Sequence, residues 1–104
     1  MKGSIRSAAA TSDVAAAVEY YLNEAPHVAA DFVDELERAV RHIERHPSAG
    51  SPRYAHELDI PHLRHWPLRR FPFALFYVED ADRLVILRCV HMTRDIPASL
   101  RNEP

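Results

Sequence analysis

The sequence predicts an α+β fold, in which a short N-terminal strand and an α-helical hairpin pack on an antiparallel sheet of three or four strands. Two apolar segments, 71–78 and 84–90, flank a polar break and are rich in aromatic and β-branched residues, which favour extended strands. A third candidate strand, 63–69, precedes them, with a turn at 70–72. Further upstream, two segments repeat apolar residues at helical spacing, which predicts the hairpin that covers the sheet.

The first predicted elements are a weak strand and a helix. Residues 2–6 are a candidate edge strand with Ile5 as its one large apolar residue. We expect Thr11 or Ser12 to cap the first helix, which should end near Asn23. Its apolar residues at helical spacing are Val14, Val18, Tyr21 and Leu22.

The second helix should begin at Pro26, because proline suits the first position of a helix. We expect residues 48–61 to form an irregular connection anchored by Tyr54 and Leu58, and residues 96–104 to form a short, mobile tail. The apolar stripe of the second helix comprises Ala29, Phe32, Val33, Leu36, Val40 and Ile43.

Alternation along the last two predicted strands makes both faces of the sheet largely apolar. Residues 73, 75 and 77 of the middle strand should oppose 74, 76 and 78. In the last strand, we expect Val85, Leu87 and Cys89 to oppose Leu84, Ile86, Arg88 and Val90. The helical hairpin covers only one face. Either the second face is a docking surface, or residues 48–61 and the tail cover it, and the sequence leaves both alternatives open.

Length and composition predict one soluble, cytoplasmic domain. A chain of 104 residues spans one domain, and its net charge of −2 does not by itself require a nucleic-acid partner. Cys89 is the single cysteine, which fits a reducing compartment. The alanine run 8–10 is too short for the apolar part of a signal peptide, and no segment is long enough to span a membrane.

Basic side chains concentrate in or beside the predicted strands. Interleaved with aromatic residues, they favour a surface for an anionic partner. The alternative is that they are solvated strand edges, which suppress aggregation. We predict a partner-binding surface formed by Arg64, Arg69, Arg70, Arg88 and Arg94.

Two histidines have metal-ligand spacing, but we predict neither a metal site nor a cofactor. His42 and His46 lie four residues apart on the second helix, yet the segment reads HIERH rather than HExxH, and no third ligand is fixed. Surface histidines are the simpler interpretation. A glycine-rich phosphate loop is excluded, because the chain contains only Gly3 and Gly50.

Nucleic-acid cleavage is a further possibility, since a metal-free ribonuclease needs a base, an acid and cations that stabilise phosphate charge. His91, Tyr77, Arg88 and Arg94 would supply these groups if they converged. The interpretation that we favour is that His91 packs against or caps the strand end, so we predict no catalytic residue.

Four segments carry a resemblance to a known family. They are AVEYYL (17–22), AADFVDELERAVRHIERHPSAG (29–50), LRHWPLRRFPFALFYV (63–78) and LVILRCVHMTRD (84–95). In order and spacing the chain resembles the ParE branch of the RelE/ParE superfamily, the toxins of bacterial type II toxin–antitoxin modules. The most specific pieces are P-x-x-G after the second helix, the LR…RRFPF…FYV strand pair and the VH-x-x-RD ending.

The resemblance implies a plasmid-stabilisation or related module that causes growth arrest. It implies neutralisation by a small, acidic, DNA-binding antitoxin that wraps the toxin in a hetero-oligomer. ParE-like members act on DNA gyrase, whereas RelE-like members cut mRNA on the ribosome. This chain is not strongly basic, Met92 follows His91, and the tail has no tyrosine. These departures favour a gyrase inhibitor acting by protein–protein interaction, with an mRNA endonuclease or a non-toxic antitoxin-binding relative as alternatives.

Overall fold

A computed structural model describes residues 3–93, 96 and 100 of the chain. The helices are α1 (Ala8–Glu24), α2 (Pro26–Arg45) and the short α3 (Arg53–Glu57), with a 3₁₀ turn at Pro47–Ala49. The strands are β1 (Gly3–Arg6), β2 (Arg64–Pro67), β3 (Phe73–Glu79) and β4 (Arg83–His91). They form one sheet in the order β1-β4-β3-β2. The predicted α+β fold is confirmed.

The sheet is mixed, because β1 pairs with β4 in parallel, whereas β2–β3 and β3–β4 are antiparallel. The sequence predicted antiparallel pairing throughout. A parallel pair needs a long crossover, and the chain between β1 and β4 contains the whole helical hairpin. The short strand at Ile5 is an edge strand, as expected, but it runs parallel to β4 rather than antiparallel to it.

Helix α1 begins one turn earlier than predicted. Its N-cap is Ser7, whose Oγ accepts a hydrogen bond of 3.0 Å from the Ala10 amide. Thr11 and Ser12, the predicted caps, lie inside the helix, because the preceding alanines are strong helix formers. Ser7 Oγ also donates to the Leu87 carbonyl at 2.8 Å, so the start of α1 is fixed to β4.

The two long helices cover one face of the sheet and form the helix-side core. Pro26 is the first residue of α2, as predicted, and Phe32 and Ile43 on this helix are fully buried. The prediction for Leu22 was wrong, since 51 % of this residue is exposed. The buried members of the helix-side core include Val14, Ala17, Phe32, Leu36, Ile43, Leu75, Tyr77, Leu84, Ile86 and Cys89.

A β-bulge interrupts the pairing of β3 with β4. Phe76 pairs with Arg88 and Tyr77 pairs with Ile86, which leaves Leu87 as an extra residue on β4. A bulge of this kind redirects the side chains that follow it. The predicted alternation along the last strand is therefore correct only up to the bulge.

Cys89 shows the effect of the bulge. It lies in the helix-side core together with Leu84 and Ile86, although strict alternation predicted the opposite face. Burial raises the pKa of its thiol to about 12, and the nearby Asp13 carboxylate adds to this increase. The thiol is therefore protonated and unreactive at neutral pH.

The second face of the sheet is covered by the α3 region and by Ile96 and Leu100 near the C-terminus. The predicted anchors Tyr54 and Leu58 both contribute, and residues 48–61 contain a 3₁₀ turn and α3 rather than only irregular chain. This decides between the two alternatives: the face is part of the core and is not a docking surface. Its buried residues are Tyr54, Leu63, Ala74, Phe76, Val90 and Ile96.

His65 lies inside this second layer. Its ring stacks on Phe76 at 5.3 Å and lies 5.3 Å from the Tyr54 ring. Within the described chain, its Nδ1 is buried without a hydrogen-bond partner. Burial lowers the pKa of His65, because the charged imidazolium would lose solvation.

This lowered pKa predicts an acid-sensitive contribution to stability. In the unfolded chain His65 binds a proton near its usual pKa of about 6.5, whereas in the folded chain it binds the proton only at lower pH. The free energy of unfolding therefore falls as the pH drops below about 6.5. Unfolding by urea between about pH 7.5 and about pH 5.5 should show a weaker pH dependence in His65→Phe than in the unsubstituted chain. His56→Phe, at an exposed histidine, is the control. An unchanged slope in His65→Phe would contradict this assignment.

Candidate partner-binding surface

Arg69 and Arg70 lie in the turn between β2 and β3 and are both exposed. The Arg69 amide donates a 2.9 Å hydrogen bond to Glu35 Oε2, and the Arg70 guanidinium lies 3.6 Å from Asp31 Oδ2. Arg70 has a φ of 70°, in the left-handed region that non-glycine residues rarely adopt. Helix α2 thus holds the turn through its carboxylates, and the turn presents two adjacent arginines to solvent.

Glu35 is the buried carboxylate behind this turn, with 5 % of the residue exposed. Its Oε1 accepts a 2.7 Å hydrogen bond from Arg38, while Oε2 accepts the Arg69 amide. A buried carboxylate is tolerated only when both oxygens have such partners. No sequence pattern predicted this role, because Glu35 and Arg69 are 34 positions apart in the chain.

Arg64 lies at the other end of β2 and binds the loop that follows α2. Its Nη1 donates to the Gly50 carbonyl at 2.7 Å and to the Ser48 carbonyl at 3.2 Å. A four-residue strand is about 13 Å long, so Arg64 is well separated from the β2–β3 turn. Its guanidinium is already used in holding the loop.

Tyr77 binds the same loop from beneath. Its hydroxyl donates to the Pro47 carbonyl at 2.7 Å and accepts from the Gly50 amide at 3.0 Å. Burial raises the pKa of Tyr77, which keeps the hydroxyl protonated as a donor. A Cβ at Gly50 would lie 2.5 Å from Tyr77 Oη and 2.9 Å from the His65 carbonyl oxygen. The P-x-x-G motif is therefore a packing requirement of this loop.

Arg88 forms an ion pair with Asp13 of α1. Arg88 Nε and Nη2 lie 2.7 Å and 3.0 Å from the two carboxylate oxygens, and only 12 % and 17 % of the two side chains are exposed. Asp13 Oδ2 also accepts the Cys89 amide at 3.0 Å. β1 pairs only with residues 83–86 of β4, so Asp13 binds the edge of β4 beyond the point where β1 ends.

His91 lies at the end of β4, in a groove of about 440 Å³ between α1 and the sheet. Its Nδ1 is 2.6 Å from Thr93 Oγ1, and its ring contacts the edge of the Phe73 ring at 5.0 Å. These contacts place His91 against Phe73 and Thr93, and its lack of a catalytic role stays a prediction. The groove is lined by Asp13, Ala16, Ala17, Tyr20, Tyr21, Pro72, Phe73, Cys89 and His91.

The predicted arginine surface is thus divided by the fold. Arg69 and Arg70 lie together, Arg64 faces the loop after α2, and Arg88 faces Asp13. Arg94 lies outside the described residues. The predicted role of all five arginines in partner binding stays a prediction.

The described residues contain neither a cluster of metal ligands nor a membrane-spanning helix. Among them, no three His, Cys, Asp or Glu side chains are grouped so as to hold a metal ion. His42 instead stacks on Trp66, with ring centroids 4.5 Å apart. None of the described helices is both long and apolar enough to cross a membrane.

Comparison with known proteins identifies the family. A sequence model of a protein family, described as the ParE toxin of the type II toxin–antitoxin system parDE, matches residues 5–96. The chain belongs to the ParE toxin family. A solved structure described as "Chromosomal ParDE TA system from P. aeruginosa" contains a chain that matches with a TM-score of 0.72 and 22 % sequence identity, covering 88 % of this chain and 96 % of that chain. At this identity, the match supports the fold alone. No curated protein matches the sequence.

The family match begins within β1 and covers every later helix and strand described above. Residues 5–96 run from β1 to Ile96, and they include the turn arginines, the P-x-x-G loop and the Asp13–Arg88 pair. In this ParE-family chain, many of the polar residues that stand out in the sequence therefore position loops and helices. Only part of that sequence remains for contacts with other molecules.

The P-x-x-G loop gives a direct test of this conclusion. Gly50→Ala should lower the free energy of unfolding by about 1–3 kcal/mol, because the new Cβ would overlap Tyr77 Oη. Gly3→Ala is the matched control, since among the described residues other than its chain neighbours no atom lies within 4 Å of a Cβ at that position. It should change stability by less than about 0.5 kcal/mol. Equal effects of the two substitutions in chemical denaturation would contradict the packing role of Gly50.

Proposed function

We propose that this chain is the toxin of a type II module that inhibits DNA gyrase in the cytoplasm by protein–protein contact. The observation that carries the proposal is the state of Arg88, which is largely buried and neutralised by Asp13. An enzyme that cleaves RNA needs cations at the developing phosphate charge and a base that is free to accept a proton. Arg88 is paired with Asp13, so its guanidinium is not free to stabilise phosphate charge. This pairing favours action by binding over catalysis.

A cognate antitoxin is the second partner in the proposal. ParE-family membership supports a small, acidic, DNA-binding antitoxin that neutralises the toxin in a hetero-oligomer. Two features suit its binding. Arg69 and Arg70 offer exposed positive charge, and β1 lies at the edge of the sheet with 47 % of Ile5 exposed. These two features lie at opposite edges of the sheet, so an antitoxin that uses both has to wrap around the toxin, with one extended segment paired to β1 and a separate acidic segment at the arginines.

The first test separates binding from catalysis. The purified chain should inhibit supercoiling by gyrase and should leave mRNA intact on translating ribosomes. His91→Gln should retain gyrase inhibition and growth arrest, because His91 acts in packing under this proposal. Loss of a general base would instead reduce activity by about 100-fold or more.

His27→Gln, at an exposed histidine of α2, is the control for this experiment. Cleavage of mRNA that disappears in His91→Gln would identify an endonuclease and would overturn the proposal. Antitoxin binding without growth arrest or gyrase inhibition would identify a non-toxic relative, which also contradicts it.

The second test concerns the antitoxin. Arg69→Gln combined with Arg70→Gly should raise the Kd for the antitoxin about tenfold or more, because two exposed charges facing an acidic partner are lost. Glycine is chosen at position 70 because its φ of 70° suits glycine, so the turn is preserved. Titration calorimetry measures the affinity.

Arg53→Gln combined with Arg83→Gln is the matched control, since both residues are exposed and the charge change is the same. An equal loss of affinity in the two double variants would show that overall charge, rather than the β2–β3 turn, attracts the antitoxin.

A further inference from the structure

The C-terminal half of α2 carries a shallow concavity of about 200 Å³ that is lined entirely by basic residues. We call it the α2 basic cup. It is distinct from the β2–β3 turn and from the groove beside His91, because none of its lining residues is shared with them. The lining residues are Arg38, Arg41, His42, Arg45 and His46.

Helical geometry explains why these side chains come together. Residues spaced by three, four and seven positions share one face of an α-helix, and the cup follows this spacing. His42 is held in place by stacking on Trp66 at 4.5 Å, and its ring lies 5.2 Å from that of His46. His42 is therefore held in place within the cup, and the helix sets the spacing of the exposed arginine side chains.

The positive charge of the cup is only partly neutralised within the chain. Arg38 pairs with the buried Glu35 at 2.7 Å. For Arg41 and Arg45, both exposed, the described part of the chain supplies no carboxylate at ion-pair distance. The helix dipole favours basic residues in the last turn, but Arg41 precedes that turn. Helix stability therefore does not account for the whole cluster.

We propose that the α2 basic cup binds the phosphate backbone of duplex DNA. Arg38 and Arg45 are separated by seven residues, or about 10 Å along the helix, so the cup offers a row of charges rather than a single one. Guanidinium groups bind phosphate oxygens in a bidentate manner. The occupant is recognised chiefly through charge, because three of the five lining residues are arginines and none is apolar. Docked protein segments normally need an apolar centre as well, whereas backbone contacts to DNA are chiefly electrostatic.

The proposal does not depend on gyrase being the target of the toxin. It predicts that the chain itself contacts DNA, through a local patch on a molecule whose net charge is −2. Because the contact is one small cup that reads charge alone, we expect weak binding without sequence preference, with a Kd of about 1–100 μM at physiological or lower salt.

The test is fluorescence anisotropy of a labelled duplex of about 20 base pairs, with the purified chain at several salt concentrations. Arg41→Gln combined with Arg45→Gln should weaken binding at least about tenfold and should reduce the slope of log K against log salt by about 1.8, for two lost phosphate contacts. Arg53→Gln combined with Arg83→Gln has the same charge change and should alter the affinity less than about twofold. Circular dichroism of each variant verifies folding.

Three outcomes would overturn the proposal. The first is an absence of DNA binding by the unsubstituted chain at low salt. The second is an equal loss of affinity in both double variants, which would indicate overall charge. The third is that a polyglutamate peptide displaces the labelled duplex at a lower concentration of negative charge than an unlabelled duplex needs. This result would indicate an acidic protein as the occupant.

Discussion

The β3–β4 hairpin is apolar on both faces, and the rest of the molecule is arranged to cover it. Residues 74–77 of β3 are all buried, which no single layer of helices could achieve. The hairpin of α1 and α2 covers one face, and the α3 region together with Ile96 and Leu100 covers the other. Because both faces are buried, partner contacts are restricted to strand edges, turns and the outer surfaces of the helices.

Polar side chains then fix how these covers are attached. Arg64 and Tyr77 hold the loop after α2, Glu35 holds the β2–β3 turn, and Asp13 joins α1 to β4 through Arg88 and the Cys89 amide. A buried ion pair gives little net stability, since desolvation offsets most of the attraction. The pair instead fixes the position of α1 on the sheet, because a displaced α1 would separate two largely buried opposite charges. Arginines that the sequence marked as candidates for partner binding, such as Arg64 and Arg88, therefore hold parts of the fold together.

Periodicity was sufficient to predict the helical hairpin, the strands and the packing of α2 against the sheet. It could not reveal the bulge at Leu87, because one inserted residue leaves an equally plausible alternation on either side. Nor could it pair Arg88 with Asp13, since the two residues are 75 positions apart. The predicted arginines are close together in the sequence, which suggested one common surface. They lie at different strand ends and turns, so their side chains reach different parts of the molecule. Adjacent Arg69 and Arg70 stay together because one turn carries both.

Helix α2 has opposite charges at its two ends, and this explains where free positive charge remains. Near its N-terminus, Asp31 and Glu35 bind the β2–β3 turn, whereas its C-terminal half presents Arg41 and Arg45 to solvent. Measured from Glu35, Arg41 and Arg45 lie six and ten residues away, or about 9 Å and about 15 Å along the helix. The nearer distance is close to the Debye length of about 8 Å at physiological salt, and Arg38, which lines the cup, pairs directly with Glu35. An antitoxin at the turn and DNA at the α2 basic cup would therefore not be electrostatically independent, because Glu35 contacts both regions.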